Sequence, residues 1–142
     1  MIKKKKRVGY FEYDPVIYPR KLWVHIGDDF KELAPKAFCN IVIDENKDYS
    51  GVEYGEVIRK SDDKYGILVS FPNRKYMTMD VCAHEASHVC DDLENALNIK
   101  HGDEPSAYLL GWIVSCIDKA RLGIGDFVEV NDIKDKKKNK KK

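Results

Sequence analysis

The feature that most constrains the fold is the pentapeptide HEASH at residues 84–88. It contains two imidazoles four positions apart, with a carboxylate beside the first. In an α-helix these positions lie one turn apart on the same face, so His84 and His88 can bind one metal ion together. Glu85 would then lie beside the open coordination position. With 4 His and 9 Glu in 142 residues, about 0.007 such matches are expected by chance.

The period of the apolar residues supports a helix around this motif. Thr78 is a residue type favoured at helix N-caps, and apolar side chains then recur at threes and fours through Leu97. A polar break follows at residues 98–103. We predict a second helix that begins at Pro105, a favoured first helical position, and runs to about Arg121 before Gly123.

The first half of the chain is predicted to consist mainly of strands. Aromatic and β-branched segments alternate there with Pro, Gly and Asp punctuation. The predicted strands are residues 8–13, 21–26, 39–44, 52–60 and 65–71. A short helix from Phe30 to about Ala37 interrupts them, and a polar loop is expected at residues 46–51. Strands followed by two helices predict an α+β domain.

Charge is distributed unevenly, although the net formal charge is only +1. Residues 3–7 carry five positive charges and residues 134–142 carry seven, so residues 8–133 have 13 basic and 23 acidic residues, a net charge of −10. We predict a basic extension at 1–7, one domain at 8–133 and a lysine-rich disordered tail at 134–142. The ends could make weak contacts with a polyanion, but the absence of aromatic residues among the lysines favours solubilising segments.

The sequence gives no sign of a membrane span or a secretory signal. The basic run at residues 3–7 is not followed by an apolar region, because Glu12 and Asp14 interrupt it. The four cysteines form neither a CxxC pair nor a disulfide-framework spacing. We therefore expect reduced thiols, a cytoplasmic location and no membrane partner. The oligomeric state is not encoded in any of these features.

A catalytic zinc site usually has three protein ligands plus water, so His84 and His88 need a partner. The HExxHxxGxxH pattern is absent, because Glu94 occupies the position of its third histidine and points about 240° away from His88 at 100° per residue. Glu104 is a better candidate, since two antiparallel helices joined by a short loop can bring its carboxylate back over the histidines. Small residues that would let the helices approach follow it: Ala107, Gly111 and Ser115.

HEASH, a short gap and E-x-x-A-Y at residues 104–108 together resemble the minimal gluzincin-type zinc metallopeptidases. These are the ImmA/IrrE-like proteins and the small zincin-like proteins of tailed phages. The resemblance covers roughly residues 65–117 and implies a small antiparallel sheet packed on the HExxH helix and a second, antiparallel helix. It further implies Zn²⁺ binding by His84, His88 and Glu104, with Glu85 as the base. Larger gluzincins carry an acid where this chain has Tyr108.

Other histidines and acids leave alternatives open. His101, followed by Gly102, resembles the third histidine of the SprT-like proteins, although its spacing fits less well. Asp92, one turn past His88, could accept a hydrogen bond from a ligand or be a solvated surface acid. His25, in a strand, is expected to be structural.

The motif predicts hydrolysis of a peptide or protein substrate by a zinc-activated water, with Glu85 as general base. Tyr108, one turn beyond Glu104, is the candidate donor to the oxyanion. Because zincins hold an extended peptide against an edge strand, we expect that edge at residues 65–71. The alternative is a catalytically inactive, zinc-stabilised structural or interaction domain of phage origin. A phage-encoded protein would act in the host cytoplasm.

Overall fold

The computed structural model describes residues 7–43 and 49–131, and six strands and three α-helices lie within them. The strands are β1 (Gly9–Tyr13), β2 (Lys21–Ile26), β3 (Phe38–Cys39), β4 (Val52–Arg59), β5 (Tyr65–Phe71) and β6 (Asp126–Glu129). The helices are α1 (Phe30–Ala37), α2 (Met79–Leu97) and α3 (Glu104–Arg121). The predicted α+β class is therefore confirmed. The lysine-rich ends for which we predicted an extension and a disordered tail lie outside the described residues, apart from Arg7.

The sheet is mixed, so the expectation of an antiparallel sheet was wrong. Its strand order is β3-β4-β5-β2-β1-β6, and β2 pairs with β5 in parallel, from Lys21 beside Gly66 to Ile26 beside Phe71. The other neighbouring pairs are antiparallel. Parallel strands need a long crossover connection, and here α1, β3 and β4 carry the chain from the end of β2 back to the start of β5.

The position of β5 also corrects the expected edge strand. We predicted the edge at Tyr65–Phe71, but β5 lies in the centre of the sheet between β4 and β2. Its nearly continuous apolar run is that of a strand buried on both faces. On the side of β5 away from β2, the edge of the sheet is formed mostly by β4. The outermost strand, β3, is short and pairs only with Ile58 and Arg59 at the end of β4. Within the described residues, the outer side of β4 from Val52 to Val57 has no strand partner.

The two faces of the sheet are covered by different helices. Alternate residues point to opposite faces, so Leu22 and Val24 of β2 pack in one cluster with α2 and α3, whereas Trp23 packs with α1 on the other side. The clusters together bury most of the large apolar side chains. None of the helices in the described part of the chain is long and apolar enough to cross a membrane. All four cysteines are free thiols, as predicted.

Helices α2 and α3 form an antiparallel hairpin near their predicted bounds. Near one end of the hairpin the Ser106 hydroxyl of α3 donates a hydrogen bond to Glu94 of α2. At the other end Cys82 of α2 lies close enough to Asp118 and Arg121 of α3 for their charges to affect its pKa. Helix α2 ends at Leu97 and is capped by Asn98, whose positive φ of 56° is the left-handed conformation common at helix C-termini. Pro105 lies in the first turn of α3, as expected.

The stripe of small residues on α3 does not face α2, so that prediction was wrong. Ala107, Gly111 and Ser115 are exposed, and a Cβ added to Gly111 would meet no atom within 4 Å. A more apolar face of α3, with Leu109, Ile113 and Ile117, is buried instead, because its burial removes more apolar surface from water. Cys116 and Ala120 are buried with them.

Two further differences concern the strands. The strand expected at residues 39–44 is reduced to the two residues of β3; residues 40–43 are not in a strand and residue 44 lies outside the described residues. Strand β6 was not predicted at all. It pairs antiparallel with β1, from Gly9 beside Glu129 to Glu12 beside Asp126. Four residues after a helix carry too short a pattern to predict a strand.

Candidate metal centre

His84 and His88 lie on consecutive turns of α2, on its solvent-facing side. Their Nε2 atoms are 3.2 Å apart, and the two rings meet nearly at right angles, with an interplanar angle of 81°. Both side chains are exposed. The opposite side of the helix is fixed in the core by Ala86, Val89 and Leu93. The pattern of apolar residues in α2 therefore directs both imidazoles toward solvent with their Nε2 atoms together.

The geometry of the imidazole pair fits a zinc ion. A tetrahedral Zn²⁺ with Zn–N bonds of about 2.0–2.1 Å has ligand nitrogens about 3.3 Å apart. The observed 3.2 Å between the Nε2 atoms is close to that separation. Two imidazoles are also a donor pair that Zn²⁺ prefers. The residues present therefore fit the predicted cofactor at two of its positions.

Glu85 points away from the histidine face and into the space between α2 and β4. Its side chain is only 5% exposed, and the backbone of Gly51 in front of β4 lies against it. Burial raises the pKa of Glu85, and the positive charge that His84 and His88 can carry opposes that rise. A carboxyl group with a raised pKa beside the imidazole pair suits proton transfer.

Glu104 is the first residue of α3 and is exposed. In the antiparallel hairpin Ser106 is level with Glu94, which lies six residues or about 9 Å along the axis from His88. Residues that precede Ser106 lie farther still toward the end of α2. The structure therefore does not bring Glu104 together with the two imidazoles. Tyr108 is 76% exposed on α3.

His101 has a different partner from the one that a SprT-like site would require. Its Nδ1 contacts Glu94 Oε2 at 2.9 Å, rather than the two histidines of the motif. Glu94 is 4% exposed and also accepts hydrogen bonds from the Ser106 hydroxyl, at 2.8 Å, and from the Cys90 thiol. These donors, the Cys90 thiol first, lower the pKa of Glu94. The cluster around Glu94 joins the two helices at their connected end.

Asp91, Glu94 and His101 have ligand atoms within 4.8 Å of one another. Among residues 7–43 and 49–131, these are the one set of three His, Cys, Asp or Glu side chains whose ligand atoms are this close together. It does not include His84, His88 or Glu104. Because hydrogen bonds to protein groups already account for the buried carboxylate, the set is explained as a contact between the helices.

Sequence reasoning missed Glu53, which lies on β4 opposite α2. Its Oε2 atom is buried and receives no hydrogen bond from an N–H or O–H group of the described residues. Burial raises the pKa of Glu53 to about 9, and its contact with Asp92 and the charges of Glu85 and Asp91 add to the rise. A signal exists in the sequence, because Gly51, Glu53 and Gly55 occupy alternate positions that share one strand face.

His25 is a structural histidine, as expected. It is buried under α1, and both of its ring nitrogens have partners: Nδ1 contacts the Ser70 hydroxyl at 2.8 Å and Nε2 contacts Asp29 at 2.6 Å. Ser70 is itself fully buried, so no substrate can reach its hydroxyl. This Ser-His-Asp arrangement is therefore a buried hydrogen-bonded chain between the sheet and the start of α1.

Comparison with protein-family models, with curated proteins and with solved structures finds no match for this chain.

Proposed function

We propose that this protein is a zinc-dependent metallopeptidase of the zincin type. The observation that carries the proposal is the pair of imidazole Nε2 atoms 3.2 Å apart beside the buried carboxyl group of Glu85. The motif supplies these three groups from five consecutive residues of α2, and the packing of that helix on the core holds them in place. We propose a cytoplasmic location, in the host cell if the chain is phage-encoded, because its cysteines are free thiols.

The residues of the motif divide the chemistry between them. His84 and His88 would hold the ion, which when bound supplies a Lewis acid that makes water acidic near neutral pH. Glu85 would accept the proton of the attacking water and return it to the leaving amine nitrogen. The raised pKa of Glu85 supports the second role, because it favours retention of the proton until the amine departs.

The outer side of β4 supports a peptide as the substrate, because no strand of the described residues pairs with it from Val52 to Val57. An extended peptide could add to this side of the sheet, next to the point where the Asn40 side chain donates to the Glu56 carbonyl. Gly51, just before this strand, packs against Glu85 of α2. A peptide on this edge would therefore run along the helix that carries the motif, with its own carbonyl groups near the catalytic carboxylate.

For the third ligand we propose Glu104, on the match of residues 104–108 to the gluzincin pattern, with Tyr108 as the donor to the oxyanion. The first turn of α3 would have to move toward His88 when the ion binds. Glu104 is exposed at the beginning of that helix. The adjoining residues 98–103 form a connection in which Gly102 has a positive φ of 89°.

The alternative function is a catalytically inactive, zinc-stabilised domain that acts as a structural or interaction module. One observation favours it: Glu104 does not belong to a set of three close ligand atoms with His84 and His88. A site with two histidines and no third protein ligand could bind a metal ion without the order that catalysis requires. Weak polyanion contact through the lysine-rich ends remains a further hypothesis.

Metal content and the effect of Glu85→Gln distinguish these functions. We expect about one Zn²⁺ per chain by elemental analysis, lost in His84→Ala and His88→Ala. Glu85→Gln should retain zinc but lose cleavage of unfolded protein substrates, since an amide cannot accept the proton. The matched control is Glu129→Gln, an exposed glutamate on β6. Protein that is purified without chelator and cannot take up zinc would refute both functions; zinc-loaded protein without peptidase activity would favour the alternative.

A further inference from the structure

The two histidines of the motif complete only half of the coordination of a zinc ion. Zn²⁺ usually takes four ligands, and His84 and His88 provide two of them through Nε2 atoms 3.2 Å apart. Among the residues that the structure describes, no third His, Cys, Asp or Glu side chain has a ligand atom within 4.8 Å of both imidazoles. An ion held by this pair therefore has positions open to ligands from outside the chain.

The imidazole pair is accessible to another protein molecule. His84 and His88 are both exposed on the solvent-facing side of α2. The exposed residues beside them, Ala83 and Ser87, have small side chains. The two rings therefore extend farther from the helix than these neighbours do, and a second molecule can reach them.

Helix α3 continues the surface on which the histidines lie. Helices α2 and α3 pack side by side on the same face of the sheet, so their solvent-facing sides form one outer surface. Residues 105–117 of α3 include no charged residue, although 35% of the chain is charged, and Leu110 and Val114 are exposed. An exposed apolar face of this kind is typical of a contact with another protein. A second molecule on the outer surface would cover part of it.

We propose that a second copy of this chain completes the zinc site, so that two His84–His88 pairs bind one ion between them when zinc is scarce. This inference rests on the zinc binding in the proposed function, and it adds the partner and the regulation of that site. A second copy is the partner that brings the same two imidazoles. The symmetry also fits, because a tetrahedral ion with two ligands from each copy can lie on the two-fold axis of a homodimer.

The acids near the histidines make this contact depend on the ion. Asp80 lies one turn before His84 and Asp91 one turn after His88, and both are exposed. In a symmetric pair of chains these carboxylates would meet their counterparts near the contact and repel them. The two positive charges of Zn²⁺ offset that repulsion. We therefore expect the metal-free protein to be monomeric.

The bridged form would be inactive as a peptidase, because four imidazoles leave no position on the ion for water. When zinc is in excess, each histidine pair can take an ion of its own, and mass action then separates the two copies. The zinc supply would thus control the proposed activity. We expect little cleavage at about half an ion per chain and full cleavage near one ion per chain.

A zinc titration of the full-length metal-free protein, followed by sedimentation velocity, tests the proposal. The mass should rise from 16.4 kDa to about twice that value near half an ion per chain, and should fall again above about one ion per chain. His84→Ala and His88→Ala should stay monomeric at every ratio. The matched control is His101→Ala, which removes an exposed histidine outside the pair and should follow the wild type.

A mixture of chains tests whether the second copy provides its histidines. Wild type is mixed with a fluorescently labelled variant that carries both His84→Ala and His88→Ala, at about half an ion per wild-type chain. We expect no label in the dimer, because the variant has no imidazole pair to offer. Labelled dimer would overturn the proposal, since other residues of the second copy would then complete the site.

The titration separates failure of this inference from failure of the proposed function. Wild type that binds zinc but stays monomeric at every ratio would overturn the inference, and cleavage by that monomer would leave the peptidase intact. Dimers in metal-free protein or in the two histidine variants would overturn it as well. A dimer at half an ion per chain, without cleavage at any ratio, would support the bridged site and refute the peptidase. Equal cleavage at half an ion and at one ion per chain would overturn the regulation.

Discussion

Two glutamate carboxyl groups on opposite sides of α2, the buried one of Glu94 in the helix and the half-buried one of Glu53 on β4, are in opposite electrostatic states. On the side of α3, Glu94 accepts hydrogen bonds from a thiol, a hydroxyl and an imidazole, which lower its pKa. On the side of β4, burial and the neighbouring carboxyl groups raise the pKa of Glu53 to about 9, and no N–H or O–H group of the described residues donates to its Oε2 atom. The same side chain is thus stabilised as an anion on one side and as a neutral acid on the other. The groups that surround it make the difference, rather than burial alone.

The largest expected effect is on the side of Glu94. Glu94→Ala should lower the free energy of unfolding by about 2–4 kcal/mol, because the buried Ser106 hydroxyl loses its acceptor and a cavity forms between the helices. Urea denaturation at pH 7 measures the loss. The control is Asn95→Ala, the exposed neighbour, which should change stability by less than about 0.5 kcal/mol. A Glu94→Ala effect as small as the control would mean that the hydrogen-bonded cluster is not a source of stability.

A substitution at Gly55 tests the close approach of β4 to α2. Gly55→Ala should destabilise by about 1–3 kcal/mol, because the new Cβ would lie 2.4 Å from Asp92 Oδ2 and force the strand away from the helix. Gly111→Ala is the matched control, since its Cβ meets nothing and alanine is favoured in a helix. That variant should be more stable by about 0.5–1 kcal/mol. Thermal unfolding of both variants gives the comparison, which would fail if the two alanines acted alike.

The pH dependence of stability should have opposite signs at the two glutamates. Since the pKa of Glu53 is raised in the folded protein, the folded state holds a proton that the unfolded state has released above its ordinary pKa. Stability from this group is therefore greatest below about pH 4.5 and falls as the pH rises toward about 9. Glu94 has a lowered pKa, so its contribution is present above the ordinary pKa and is lost as the pH falls through the folded value.

Glu53→Gln isolates the first of these effects. The amide cannot ionise, so the variant should gain on the wild type by at least about 1 kcal/mol between pH 5 and pH 8, the equivalent of one pKa unit. The measurement is the free energy of unfolding in urea at several pH values. Glu56→Gln, the exposed control on the same strand, should follow the wild type at every pH. A constant difference between Glu53→Gln and wild type would show that Glu53 does not keep its proton.

A structural feature can be predicted from the sequence when the residues that form it are close together along the chain. Helices α2 and α3 and four of the six strands follow from local periodicity, and that same periodicity brings His84 and His88 to one face. The parallel pairing of β2 with β5 depends on where the chain returns after about 40 residues, and no local pattern contains that information. Glu53 was missed for the same reason: the acids that surround it lie on α2, with Asp92 39 positions away, and only the flanking glycines give a local sign.

Substitutions near the connection between α2 and α3 have the smallest expected effect on stability, and they test which residue is the third zinc ligand. His101 is largely exposed, so water competes for its contact with Glu94, and His101→Ala should cost about 0.5 kcal/mol. It should leave zinc affinity unchanged, because its Nδ1 points to Glu94 instead of to His84 and His88. If Glu104 binds the ion after the first turn of α3 moves, Glu104→Ala should weaken zinc binding by at least about tenfold. Competition with a zinc chelator measures both affinities.

Weaker binding in His101→Ala but not in Glu104→Ala would favour the SprT-like ligand set. Unchanged affinity in both variants would leave the ion with two histidines, and the zinc-stabilised module would then explain the motif better than the peptidase.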